Sequence, residues 1–111
     1  MIQVRKILYP TDFSSYSNQA YFHAVGLAET YRASLTVVYV VTPGSPEATR
    51  GRAFWLDQLE QVRPTNPSIA VHHALLEGDP AGEIARYAAD AGIDVIVIGT
   101  HGRTGVDRLV M

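Results

Sequence analysis

The chain has 111 residues, 47% of them apolar, with no cysteine and a formal charge of −2. Length and apolar share suit one folded domain rather than a disordered chain, and the lack of cysteine excludes disulfides, thiolate metal sites and a cysteine nucleophile. The charge argues against nucleic-acid binding, and no apolar run nears the roughly 18 residues of a membrane span. No secretion signal precedes the first strand, so a cytoplasmic protein is expected.

Val4 to Tyr9 reads as the first strand. Pro10-Thr-Asp-Phe-Ser14 ends it, because Pro has no N–H for a ladder and Asp and Ser favour caps. Ser14 or Ser17 can cap the next helix. There Ala20, Ala24, Leu27, Ala28 and Tyr31 recur at helical spacing. Ser34 to Val41 is a continuous, mostly β-branched second strand, expected to be buried on both faces. Thr42 to Pro46 is a loop, with Ser45 as N-cap and Pro46 at the first position of a second helix. Trp55, Leu59 and Val62 give that helix an apolar stripe, preceded by Ala48. Gly51 weakens it, and Pro64 and Pro67 end it. Ile69 to Leu76 is the third strand. Asp79 caps a third helix that has Pro80 at its first position, Ile84, Tyr87, Ala88 and Ala91 on its buried face, and Gly92 as its stop. Asp94 to Ile98 is the fourth strand. After the loop Gly99 to Gly105, the tail from Val106 to Met111 reads as the first turns of a helix.

Strands alternating with helices imply an α/β fold, an open parallel sheet with helices on both faces. Ligands of such sheets bind beyond the carboxyl ends of the strands, where the strand order reverses. The loops Pro10–Ser14 and Gly99–Gly105 are the richest in polar groups and glycine. Gly99-Thr-His-Gly102-Arg-Thr-Gly105 fits neither a dinucleotide fingerprint nor a Walker loop. Its glycines let backbone N–H groups approach an anion, Arg103 adds charge, and His101 is either a neighbour of the phosphate or a solvated loop residue. A plain glycine-rich turn is the alternative. Asp12 suits ribose hydroxyls or an adenine amino group, or else is a helix cap or turn residue. His72 and His73 alternate across a strand and cannot share a metal. His23 has no ligand partner at helical spacing, so no metal site is expected.

Three segments together resemble the universal stress protein family. They are Lys6-Ile-Leu-Tyr-Pro-Thr-Asp-Phe-Ser14, Val37-Val-Tyr-Val-Val41 (where His is common at the position of Tyr39), and Gly78-Asp-Pro80 with Ile93 to Gly105. The resemblance implies an adenine nucleotide alpha hydrolase-like sheet in strand order 3-2-1-4-5. It also implies a nucleotide-binding branch marked by G-x2-G-x9-G-[S/T], in which Gly99 and Gly102 match the first two glycines. In that branch Pro10 and Thr11 line the pocket, Asp12 contacts ribose or adenine, and Val40 meets adenine through its backbone. Ile98 and Gly99 floor the site, and Gly102 with Arg103 faces the phosphates. The implied ligand is ATP, or AMP or ADP, with or without magnesium. The implied assembly is a homo-oligomer, usually a dimer.

Residues 103–111 bring the sequence to Met111 before the place of the final Gly-Ser/Thr pair. The expected domain, 1–111, is therefore C-terminally incomplete, with strand order 3-2-1-4, the fifth strand missing and strand four an uncovered edge. The leading function is an adenine-nucleotide sensor or regulatory module in a stress response, rather than an efficient enzyme. Two alternatives are a structural module that oligomerises through the open strand, and a weak ATPase using Asp12 or Asp107.

Overall fold

The apolar runs in this sequence lack the alternation of a half-exposed strand, so only a sheet covered on both faces can bury them. The computed structural model describes residues 3–99, apart from the Tyr16 side chain, together with the backbone strand Arg108–Val110. In chain order the elements are β1 (Lys6–Pro10), α1 (Ser15–Tyr31), β2 (Ser34–Val41), a 3-10 turn (Pro46–Thr49), α2 (Arg52–Glu60), β3 (Val71–Glu77), α3 (Pro80–Ala91), β4 (Val95–Ile98) and β5 (Arg108–Val110). The sheet order is β3-β2-β1-β4-β5. The first four strands run parallel, in the order expected, and β5 runs antiparallel to β4.

The strand order reverses between β1 and β4. Asp94 pins these two strands at their amino ends. Its Oδ2 accepts hydrogen bonds from the N–H groups of Arg5 at 2.8 Å and Lys6 at 3.0 Å, and its own N–H donates to the Lys6 carbonyl at 2.9 Å. The backbone donor of Arg5, then that of Lys6, holds the Asp94 carboxyl below its ordinary range.

The main core lies on one face of the sheet. Ile7 and Tyr9 of β1, Leu35 and Val37 of β2, and Val95 and Val97 of β4 are buried there against Ala20, Ala24 and Ala28 of α1. The alanines recur every four residues, and their small side chains let the helix lie close to the sheet. A larger residue at Ala24 would overpack by roughly 1–3 kcal/mol. Leu59 of α2 is fully buried in the same core, while α3 packs against β2 and β3.

Local chemistry accounts for most element ends. Ser14 is the N-cap of α1, its hydroxyl accepting from the Ser17 N–H at 3.3 Å. Asp79 caps α3 by accepting from the Gly82 N–H at 3.0 Å, Pro80 stands at the start of that helix, and Gly92 closes it in the left-handed conformation.

Five expectations are corrected. The second helix is not continuous: it breaks at Arg50–Gly51 into the 3-10 turn and α2. Gly51 is where helix propensity is lowest, and Ser45 does not cap, because its hydroxyl donates to the Thr42 carbonyl at 2.6 Å instead. The inner face of α3 (Ile84, Tyr87, Ala88, Ala91) is half-buried rather than buried. The tail does not start a helix over 108–110, and β4 is not an uncovered edge. Ile96, Val97 and Ile98 pair with Val110, Leu109 and Arg108, because an open strand edge offers a row of N–H and C=O groups that an adjacent apolar segment can satisfy. The remainder of the expected helix start, Val106, Asp107 and Met111, lies outside the described residues.

Candidate functional site

A cleft of about 270 Å³ opens at the carboxyl ends of β1, β2 and β4, against the first turn of α3. It therefore sits at the reversal of strand order, where a sheet of this type offers a crevice. Six of the nine expected site residues line it: Pro10 at the end of β1 with Thr11 and Asp12 after it, Val40 in β2, and Ile98 and Gly99 at the end of β4. The other three, His101, Gly102 and Arg103, lie outside the described residues.

The β1 end is shaped by a chain of hydroxyl groups. Tyr9 is 2% exposed, and its hydroxyl donates to the Ser17 carbonyl at 2.7 Å and lies 2.5 Å from Ser17 Oγ. Ser17 Oγ in turn meets Thr11 Oγ1 at 3.0 Å, and Thr11 Oγ1 accepts from the Phe13 N–H at 3.0 Å. Buried hydroxyls need such partners, and here they fix where Thr11 stands.

Phe13 adopts the left-handed conformation, with φ +62°. A bulky residue does this rarely, and packing must hold it there. Its ring stacks on Trp55 with centroids 5.6 Å apart and packs on Tyr39 at 5.0 Å. The turn at Phe13 leaves Asp12 exposed at the cleft. Asp12 Oδ1 accepts from the Ser14 N–H at 2.9 Å, so Asp12 supports the helix entry and lines the cleft at once. Ser14 and not Asp12 caps α1, so Asp12 is a turn residue that stands at the cleft.

The rest of the wall is mostly apolar. Pro10, Val40 and Ile98 face Pro80 and Ile84 of α3, and Ser17 and Tyr39 complete the lining. Burial first, then the charges of Glu47 and Asp12, pushes the Tyr39 phenol above its ordinary pKa. Ser17, Tyr39, Pro80 and Ile84 were not expected as site residues. Pro80 and Ile84 carried a usable signal: spaced four apart in a helix that starts directly after a strand, they share a face one turn from the strand ends. Ser17 and Tyr39 had only capping and core signals.

Such a cleft can hold a flat apolar ring between carbon-rich walls and hydrogen-bond its polar edge through Asp12 and the hydroxyl chain. Among the described residues, no group of three His, Asp or Glu side chains could hold a metal ion. Among them also, no helix is long and apolar enough to cross a membrane.

The model of the universal stress protein family matches residues 3–111. A universal stress protein of Methanocaldococcus jannaschii is 30% identical over 120 aligned positions, which cover 96% of this chain and 71% of that protein. A solved structure from the same family, from Burkholderia pseudomallei, is similar with a TM-score of 0.71 and 33% identity, over 86% of this chain and 81% of that one. A universal stress protein solved in complex with cAMP shares the fold, with a TM-score of 0.62 and 16% identity, over 86% of this chain and 75% of its own.

Proposed function

The chain belongs to the universal stress protein family, and from that premise we propose that its cleft binds an adenine nucleotide, ATP, ADP or AMP, as a sensor or regulatory module in a stress response. The observation that carries the reading is the convergence of Pro10, Thr11, Asp12, Val40, Ile98 and Gly99 on one cleft. These residues come from three separate strand ends, yet they form a single lining.

The chemistry of the lining suits a nucleoside. Val40, Ile98, Pro80 and Ile84 offer carbon surface to a purine ring, and Asp12 with Thr11 offers oxygen to ribose hydroxyls. The volume, about 270 Å³, is near the lower end of ordinary ligand pockets, roughly 300–1,000 Å³. It matches the nucleoside half of the ligand, and Gly102 and Arg103 are proposed to meet the phosphates. A family relative of the same fold is solved with cAMP, a ligand with the same nucleoside core. Bound magnesium would supply phosphate charge neutralisation.

Self-association is the finer part of this proposal. It rests on the family resemblance and no longer on an open β4, since β5 pairs with that strand. Light scattering across concentrations tests it, and a monomer throughout would remove it. Mass spectrometry of the protein purified without added nucleotide, followed by ATP titration calorimetry, tests the binding. Co-purified adenine nucleotide, or saturable heat, supports the reading. No nucleotide and no heat at millimolar ATP would overturn it for this chain.

A further inference from the structure

A second cleft, of about 260 Å³, lies at the other end of the sheet. It is bounded by the amino-terminal halves of β1, β2 and β3 and by the last turns of α3. Lys6 and Ser34 are register partners across β1 and β2, and Thr36 and His72 across β2 and β3. Paired positions, and positions two apart, share a sheet face, so all four side chains project to the side where Tyr87 and Ile93 close the cleft. Lys6 and Pro10 sit at opposite ends of β1, about 13 Å apart at roughly 3.3 Å per residue, which separates this cleft from the first.

Thr36 is the informative residue. It is 7% exposed and lines the cleft, and among the described residues its hydroxyl meets no hydrogen-bond partner. With no described protein group to pair with, this hydroxyl takes its hydrogen bond from the cleft side, from water or from a polar ligand that displaces it.

The surroundings define the ligand. Lys6 Nζ donates to the Ala91 carbonyl at 3.0 Å, which holds the ammonium at the cleft and leaves two of its three N–H donors to turn elsewhere. Thr36, His72 and Tyr87 add further polar groups, and among the described residues no carboxylate lines the cleft. The Asp94 carboxylate, next to Ile93 in sequence, is engaged by the Arg5 and Lys6 N–H groups. Ile93 and the Tyr87 ring supply apolar wall. Cation, donors and carbon surface together suit an anion with an apolar body. The volume, about 260 Å³, equals about nine waters at roughly 30 Å³ each, room for an acid the size of benzoate. We propose that this cleft is a second binding site, for a small organic carboxylate held by Lys6 and Thr36 with its apolar part against Ile93 and Tyr87.

The test is an amide chemical-shift titration of the whole chain with sodium benzoate, with neutral benzamide and inorganic phosphate as controls. Saturable shifts at Thr36, His72 and Ile93 are expected, with benzamide at least about tenfold weaker, as for loss of a hydrogen bond to a charged group. Thr36→Val and Lys6→Met should each bind benzoate about tenfold more weakly while keeping the parent's melting temperature, which separates lost recognition from a general change in stability. The proposal is overturned if millimolar benzoate produces no saturable shift at these residues, if benzamide binds equally, if phosphate binds and benzoate does not, or if both variants keep the parent affinity. These readouts lie at the amino end of the sheet, so a failure to bind ATP at the carboxyl end leaves them interpretable.

Discussion

Replacing Tyr9 by Phe probes the hydroxyl chain that shapes the candidate site. The substitution keeps the buried ring and its contact with Tyr21, whose centroid is 5.5 Å away. It removes the hydroxyl that donates to the Ser17 carbonyl and meets Ser17 Oγ. Neither Ser17 acceptor is fully orphaned. The carbonyl lies in the first turn of α1, where its helical partner remains, and Ser17 Oγ keeps Thr11 Oγ1 at 3.0 Å. The cost is therefore that of a buried hydrogen bond rather than of an isolated buried polar group, about 1–2 kcal/mol. For a chain of this length that corresponds to roughly 5–10 °C in Tm. Urea denaturation of both proteins measures it, and an unchanged slope with a lowered midpoint identifies a loss of stability in the native state. The Tyr9→Phe, Ser17→Ala double variant should be non-additive by at least about 0.5 kcal/mol, because the two hydroxyls act on one network. A Tyr9→Phe change under about 0.3 kcal/mol, with additive behaviour in the double variant, would refute the claim that this chain of hydroxyls holds the β1 loop.

Gly26 lies inside α1, where an added Cβ would meet nothing within 4 Å; Gly26→Ala should stabilise by about 0.5–1 kcal/mol in the same urea assay. Gly78 behaves oppositely: its φ is +142° and an added Cβ would stand 2.9 Å from Glu83 Cγ, so Gly78→Ala should destabilise by roughly 1–3 kcal/mol. Asp94 predicts a pH effect. Its carboxyl is held below the ordinary value of 3.8 by the Arg5 and Lys6 N–H groups, so the unfolded chain binds the proton more readily than the folded one. Its stabilisation is complete above the unfolded value and is lost as pH falls from there through the lower folded value. Asp94→Asn should flatten the dependence of stability on pH below about 4, and an unchanged slope there would remove Asp94 from the account.

What was legible in the sequence follows the range over which each signal acts. The bounds of β2, Ser34–Val41, were read correctly, because a β-branched run between polar turns needs no distant partner to be recognised. The Asp79, Pro80 and Gly92 signals at the ends of α3 were also legible, since capping is decided within a few residues. The break at Gly51 was visible only as a weakness, because whether a helix survives a glycine depends on packing elsewhere. The tail was misread for a different reason. Pairing of Arg108–Val110 with β4 is a contact between strands and leaves no periodic trace in so short a segment. In the cleft, Asp12 and Gly99 stood out by residue type. Ser17 and Tyr39 did not: each has a complete structural explanation, in a hydrogen-bond chain or an aromatic cluster, and gains a place at the site only through the fold.

The central claim is that the cleft at the carboxyl ends of β1, β2 and β4 receives an adenine nucleotide. An amide chemical-shift map of the protein titrated with ATP tests it most directly, since it reports both binding and place. The account predicts saturable shifts at Thr11, Asp12, Val40 and Gly99, reduced in Asp12→Ala, with Thr36 and His72 at the other end of the sheet unmoved. Saturable shifts that leave those four residues unmoved, or no shift at millimolar ATP in a folded protein, would contradict it.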